Sequence, residues 1–135
     1  MAVHMTGPIA VGALIYGMAS PDVIFIKKAS DFIGKTIQIP VFSADDVFLR
    51  LVRNYVPDMM WGYSLVFALF FIIGNHAADV WMVFWIAFPF SAAMEMMQKA
   101  SFVPGTFDVF DIFAEFFAET AAACMIHQLY SREEF

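Results

Sequence analysis

The last apolar stretch of the chain, FDVFDIFAEFFAETAAACMIHQL from Phe107 to Leu129, decides the fold because it is long enough to cross a membrane yet contains four acids. A membrane-spanning helix needs about 20 mostly apolar residues. The acids are Asp108, Asp111, Glu115 and Glu119. Their spacing of three, four and four residues places them on one face of a helix. Because a charged side chain in hydrocarbon costs several kcal/mol, we expect this face to point into a helix bundle and not toward lipid.

The composition of the whole chain is that of a membrane protein. Of its 135 residues, 61% are hydrophobic and 15% are charged, whereas an average soluble domain is roughly 45 to 50% apolar and about 25% charged. The formal net charge of -6 argues against a nucleic-acid surface, which needs basic residues to neutralise phosphates. The single cysteine, Cys124, excludes a disulfide within the chain.

Four stretches have the length and apolarity of membrane spans, and one long polar connection separates the first two. The predicted spans are residues 7–26, 57–74, 80–98 and 107–129, and the connection is residues 27–56. Within the connection, Phe48, Leu51, Val52 and Tyr55 recur at helical spacing, which predicts a short helix in the headgroup plane or one packed on the protein. We therefore predict an all-α polytopic membrane protein, residues 1–135 forming one domain of four transmembrane helices plus a short interfacial helix.

The distribution of basic residues predicts the topology. Five of the seven lie in the first connection: Lys27, Lys28, Lys35, Arg50 and Arg53. Lys99 lies in the third connection. Because Lys and Arg are retained on the cytoplasmic side, both connections are predicted to face the cytoplasm of a cell whose membrane the chain crosses several times, and both termini to face outward.

The acids of the last span have predicted neighbours on two other spans. The seven residues from Lys99 to Gly105 join the third and fourth spans, and Pro104-Gly105 favours a turn, so these spans form a tight antiparallel hairpin. Glu95 and Gln98 at the end of the third span then lie at the depth of the first acids of the fourth, and Asp58 opens the second span from the same side. The predicted acidic cluster is Asp58, Glu95, Gln98, Asp108, Asp111, Glu115 and Glu119, near the cytoplasmic ends of the helices.

So many like charges cannot all be ionised without compensation, so the cluster needs protons or a cationic group. A divalent cation held by Glu95, Asp108 and Asp111 is one candidate, and a basic side chain, Arg50, Arg53 or Lys99, is another. A purely structural alternative lets Asp108 and Asp111 stabilise the positive end of a helix while Glu95 and Gln98 lock the hairpin. That alternative leaves Glu115 and Glu119, one and two turns deeper, unexplained.

The pattern Glu95-x-x-Gln98, a short turn, then Phe107-Asp108-x-x-Asp111, preceded by Pro57-Asp58 with Tyr63 and Leu65 after it, resembles the VanZ-like family of small membrane proteins. The resemblance covers about residues 54–125. It implies an integral helical bundle in a bacterial cell membrane, in a family named for a teicoplanin-resistance protein. It thereby implies a link to glycopeptide-antibiotic resistance or to modification of envelope lipids.

The chain departs from the family pattern at three places. Met59 to Gly62 follow Asp58 where the family has Lys and then His, Gly105-Thr106 replaces an Arg in the turn, and Glu115 stands where Asn is usual. Losing three basic residues and gaining an acid makes this cluster more negative than is typical of the family. The departures therefore strengthen the prediction of a bound cation or a basic partner.

Three other functions remain open on the sequence. The protein could be a proton- or cation-coupled transporter or channel, with Glu115 and Glu119 leading toward His127. It could be an enzyme that uses paired carboxylates and a divalent ion on a lipid-linked substrate. It could also be an accessory subunit or a homo-oligomer whose Phe-rich faces pack on another membrane protein as well as on lipid. His76 and Asp79, three residues apart, supply too few ligands for a structural zinc site.

Overall fold

The computed structural model describes residues 2–19, 31–34, 47–74, 76–102 and 107–131. Its long elements are four helices, α1 (Ala2–Ala19), α2 (Val47–Ile73), α3 (Asp79–Lys99) and α4 (Val109–Ser131). No strand occurs within these described residues. The all-α class predicted from the sequence is therefore confirmed.

Two of the helices, α2 and α3, are long and apolar enough to cross a membrane, over Arg50–Ile73 and Asp79–Lys99. The apolar part of α1, Ala2–Ile15, is shorter. Helix α4 has 23 residues but buries three acids within its length. Membrane-helix character is thus found in two helices by length and composition, and the count of four crossings stays a prediction.

The prediction of a separate interfacial helix before Pro57 is wrong, because residues 47–56 form the first turns of α2. The apolar side chains Phe48 and Leu51 are exposed on these turns. Pro57 lies inside the helix although it lacks the N–H that would bond to the preceding turn. Proline is tolerated in such helices where neighbouring elements support the backbone, and here Pro57 lies against Gly12 of α1, with 3.5 Å between its Cα and the position of an added Cβ.

The other predicted spans agree with helices to within a few residues at the described ends. Span 80–98 corresponds to Asp79–Lys99 and span 107–129 to Val109–Ser131. The first helix begins at Ala2, before the predicted residue 7, and ends at Ala19. The remainder of that span, residues 20–26, lies outside the described residues, as does most of the connection.

Close contacts establish how the helices are arranged. Helix α1 runs antiparallel to α2, because Gly12 meets Met60 while His4 stacks on Phe67 at a centroid distance of 4.8 Å. Helices α2 and α4 run parallel, since Gly62 lies against Glu119 and Phe70 lies against Tyr130 further along.

Helix α3 returns antiparallel to α4, and its last turn is closed by main-chain hydrogen bonds. Ser101 N–H donates to the Gln98 carbonyl at 2.9 Å, and Phe102 N–H donates to the Met97 carbonyl at 3.0 Å. This pair of bonds is the Schellman motif, with Ser101 at a positive φ of 60° where glycine is usual. The turn residues 103–106 lie outside the described residues.

The interior has an apolar half and an acidic half. The apolar half lies toward the end of α2 and the start of α3, and its buried side chains are Val66, Phe67, Phe70, Val80, Val83, Phe84, Ala87, Ala122, Ala123 and Ile126. The acidic half lies toward the start of α4 and the end of α3, where Glu95, Asp111, Glu115 and Glu119 are buried. Helix packing therefore positions the acids in one end of the bundle.

Candidate acidic binding site

One face of each of three helices contributes polar or small residues to the acidic half of the bundle. Helix α2 presents Tyr55, Asp58 and Gly62, and α3 presents Ser91, Glu95 and Gln98. Helix α4 presents Asp111, Glu115 and Glu119, with Asp108 directly before its first residue. Each set follows the spacing of three or four residues that keeps side chains on one helix face. We call the predicted seven-residue set together with Ser91 the acidic column.

Electrostatic interactions join the acids of the three helices. The carboxyl of Asp58 interacts with that of Glu95, so α2 and α3 are close at this depth. Glu115 interacts with both Asp58 and Glu95, and also with Glu119 and Asp111 of its own helix. The structure therefore brings the sequence-predicted acids into one group, while the binding of a ligand by that group stays a prediction.

The column has a half-buried mouth and a fully buried inner end. At the mouth, Asp58, Gln98 and Asp108 are partly accessible. Further in, Glu95 and Glu115 are buried, and Glu119 is 0% exposed. From Asp111 to Glu119 the helix rises about 12 Å. The carboxyls thus extend from the end of the bundle toward the middle of α4.

Only some of the carboxyl oxygens have hydrogen-bond partners. Ser91 Oγ donates to Glu119 Oε1 at 2.6 Å, and Gln98 Nε2 donates to Glu95 Oε1 at 3.0 Å. The second oxygens of Glu95, Glu115 and Glu119 are buried without a partner among the described residues. A buried polar atom without a partner costs free energy and calls for an explanation, such as a bound ion or a proton.

Asp108 has a structural role in addition to its place at the mouth. Its Oδ1 accepts from the Phe110 N–H at 3.0 Å, so it caps the start of α4. Its Oδ2 accepts from the Tyr55 hydroxyl at 3.2 Å, which connects α2 to α4. The structural alternative drawn from the sequence therefore holds in part for Asp108, but not for the deeper acids, which lie within α4.

Two of the basic residues named as compensation, Lys99 and Arg53, have their described contacts elsewhere. Lys99 Nζ lies 5.0 Å from the centre of the Phe107 ring, and Arg53 Nε donates to Asn54 Oδ1 at 3.1 Å. In the described ranges no interaction of the buried carboxyls involves Lys, Arg or His. The helices themselves thus do not supply the expected basic partner.

The predicted metal set is not assembled as the side chains stand. Within the part of the chain that the structure describes, no group of three or more Asp, Glu, His or Cys side chains could hold a metal ion. A divalent-cation site made of Glu95, Asp108 and Asp111 thus stays a prediction.

At the other end of the bundle, Asp79 Oδ2 accepts a hydrogen bond from the His76 N–H at 2.9 Å, so this pair of residues stabilises the start of α3.

The acidic column ends at Glu119. On the same side of α4, the next buried residues are Ala122, Ala123 and Ile126, all 0% exposed. His127 Nδ1 lies 3.3 Å from the carbonyl oxygen of Ala77, beyond this apolar layer. Among the described residues, the polar side chains therefore continue inward only as far as Glu119, where the packed apolar core begins. The side chain of His127 does not extend them.

Three residues of the site escaped the sequence reasoning: Tyr55, Gly62 and Ser91. Each lies three or four residues from a predicted acid on the same helix face, since Tyr55 and Gly62 flank Asp58 while Ser91 precedes Glu95 by one turn. This spacing could have revealed them. Tyr55 was predicted only as part of the apolar face of a short helix, and the small neutral side chains of Gly62 and Ser91 gave no reason to single them out.

Replacing Ser91 by Ala is expected to lower the free energy of unfolding by about 1 to 3 kcal/mol, because both carboxyl oxygens of Glu119 would then be buried without a partner. Unfolding in mixed micelles, followed by circular dichroism, measures the change. Ser64→Ala is the matched control, since Ser64 is buried and its hydroxyl has no partner among the described residues. It should leave stability unchanged or raise it. Equal losses in the two variants would show that the Ser91 hydrogen bond contributes nothing specific.

Comparison with known proteins finds no family model, no curated protein and no solved structure that matches the chain. The resemblance to the VanZ-like family therefore rests on the residues quoted above.

Proposed function

We propose that the protein is a VanZ-like integral membrane protein of the bacterial cell envelope, and that its acidic column binds a cationic group. In the resembled family this points to glycopeptide-antibiotic resistance or to modification of envelope lipids. The proposal has two parts, membrane insertion and cation binding, which rest on different features of the bundle.

Membrane insertion is supported by the distribution of polarity. Large apolar side chains cover the outside, with Phe71, Trp85 and Phe117 each 65% exposed, while the carboxyls of Asp111, Glu115 and other column members are buried. Only 28% of the apolar stretch in α2 and 33% of that in α3 is buried, whereas the core helix of a soluble protein is covered on most sides. Lipid as the surrounding solvent accounts for both observations.

Cation binding rests on one observation, the buried carboxyl oxygens that have no partner. Glu95, Glu115 and Glu119 each retain one such oxygen in the described structure. An ionised carboxylate removed from water without compensation costs several kcal/mol or more. A proton or another cationic group in the column would remove this cost.

The mouth of the column is where a cationic group would enter. Asp58, Gln98 and Asp108 are only half-buried there, and the positive-inside rule assigns this end to the cytoplasmic side. A metal ion or a basic group of a lipid or protein partner could reach the mouth from that side. A large basic side chain would not reach Glu119, which is fully enclosed.

We expect saturable binding of a cation to the purified protein in detergent and loss of that binding in Asp108→Asn with Asp111→Asn. Calorimetry with calcium, magnesium, manganese, zinc and ethylammonium chlorides measures it, and thermal unfolding provides a second readout. Asparagine keeps a side-chain oxygen for the cap of α4, so the double variant removes charge with little effect on the helix start.

Asp31→Asn is the matched control, because Asp31 is an exposed acid outside the acidic column. This variant should bind as the wild type does. If none of the five cations binds, or if the double variant binds as tightly as the wild type, the proposed cation site at the mouth is refuted. The acids would then serve the geometry of the hairpin.

A transporter or channel remains the alternative function, and it needs a continuous polar path. The described bundle has polar side chains from the mouth to Glu119, followed by the apolar layer of Ala122, Ala123 and Ile126. Conduction would require this layer to open. The observations therefore favour a binding site that is reached from one end.

A further inference from the structure

The inner end of the acidic column differs from its mouth in what it can accommodate. Glu119 is 0% exposed, and Gly62 of α2 lies so close that an added Cβ would stand 3.2 Å from Glu119 Cγ. Glu115 is also buried, and its backbone lies 3.5 Å from the same Cβ position. A side chain from another protein, or a lipid headgroup, has no room between these helices.

The number of ligands that each one needs distinguishes a metal ion from a proton as the occupant of this inner end. Hard metal ions take about six or more oxygen ligands. In the described residues no three acidic, His or Cys side chains converge to hold one. A proton needs a single oxygen lone pair, and both Glu115 and Glu119 offer a buried oxygen without a partner.

We infer that Glu115 and Glu119 form a proton-binding site at the inner end of the column, with the Ser91 hydroxyl holding Glu119 in place. The inference rests on the proposed function, and it identifies a proton as the cationic group that binds at the inner end of the column. A proton on Glu115 or Glu119 makes that carboxyl neutral. Protons exchange with one side of the membrane through the acids nearer the mouth, because apolar residues close the other end.

The groups around the site come from every helix packed on it. Helix α2 contributes Asp58, α3 contributes Glu95, and α4 itself contributes Asp111. All three are acids, and none of the interactions described for Glu115 and Glu119 involves a cation. Helix α1 packs on α2, and its His4 ring contacts Tyr63 and Phe67 there. Ionisation of one acid thus favours retention of the proton on its neighbour.

Infrared difference spectroscopy of the protein in liposomes tests the inference directly. Raising the pH from neutral should remove the carbonyl band of a protonated carboxylic acid and produce carboxylate bands in its place. The band should shift in D₂O, because the proton is exchangeable. Above the midpoint of the titration its intensity should fall about tenfold for each pH unit, with coupling between the acids broadening this fall.

Assignment of the band requires single substitutions. Glu119→Gln and Glu115→Gln should each remove part of it, and the double variant should remove most of it, leaving only the contribution of Glu95, whose second oxygen is also buried without a partner in the described structure, whereas Asp31→Asn should leave the band unchanged. Glutamine keeps the size of the side chain, so folding can be verified by circular dichroism. Absence of the band in a folded wild-type protein, or its persistence at full intensity in the double variant, would overturn the inference.

The two experiments can fail independently. Saturable cation binding at the mouth without a protonated-acid band would keep the proposed function and refute the inner proton site. A titratable band that is largely lost in the double variant, without binding of any added cation, would support the inner site while refuting the cation site at the mouth.

Discussion

Replacing Gly62 by Leu is expected to separate α2 from α4 and to lower the free energy of unfolding by about 3 kcal/mol or more, the upper end of overpacking effects. An added Cβ at this position already stands 3.2 Å from Glu119 Cγ and 3.5 Å from the Cα and carbonyl oxygen of Glu115. The nearest side chain could move, but the backbone of α4 cannot yield without shifting the helix. The measurement is equilibrium unfolding in mixed micelles, followed by circular dichroism.

Gly7→Leu is the matched control because Gly7 also lies in a helix, and a Cβ added there meets nothing within 4 Å. Leucine has a higher helix propensity than glycine, so this variant should be as stable as the wild type or slightly more stable. If both variants lose stability equally, α2 and α4 do not approach each other closely at Gly62.

Replacing Phe67 by Ala is expected to lower the free energy of unfolding by about 3 to 5 kcal/mol, the usual range for loss of a fully buried phenylalanine. Phe67 is 0% exposed and contacts the rings of His4 and Tyr63, so its removal leaves a cavity between α1 and α2. The same unfolding experiment measures the loss.

Phe71 provides the comparison for this second substitution. It lies one turn further along the same helix and is 65% exposed, so Phe71→Ala should change stability by about 0.5 kcal/mol or less, as surface substitutions do. A larger loss from Phe71→Ala than from Phe67→Ala would contradict the assignment of the inner and outer faces of α2.

These two substitutions, Gly62→Leu and Phe67→Ala, also distinguish the roles of the acidic and apolar halves of the bundle. Gly62 lies where α2 meets α4, so Gly62→Leu should move Asp58 of α2 away from Asp111 of α4 and weaken cation binding at the mouth in the protein that remains folded. Phe67 lies in the apolar half, so Phe67→Ala should leave the affinity for the cation unchanged once the folded fraction is taken into account. Calorimetry on both folded variants makes this comparison.

Most of what could be predicted from the sequence about the fold and the acidic column followed from helical periodicity. The spacing of Asp111, Glu115 and Glu119 placed them on one face, and the cost of charge in hydrocarbon placed that face inward, where all three are buried. The division at Pro57 was wrong because proline is a strong signal for a helix end in isolation. The packing of Pro57 against Gly12 of α1 involves residues distant in sequence, and such a contact has no local signal.

The sequence by itself determined the all-α class and which side of the last helix is polar, because both follow from the repeat of residues along a single chain segment. Only the tertiary structure decided that Ser91 donates to Glu119, that Gly62 lies against them, and that the acidic column stops at an apolar layer. These features depend on the depth and rotation of one helix against another. Depth and rotation are set by side-chain packing between helices, which the order of residues along any one helix does not specify.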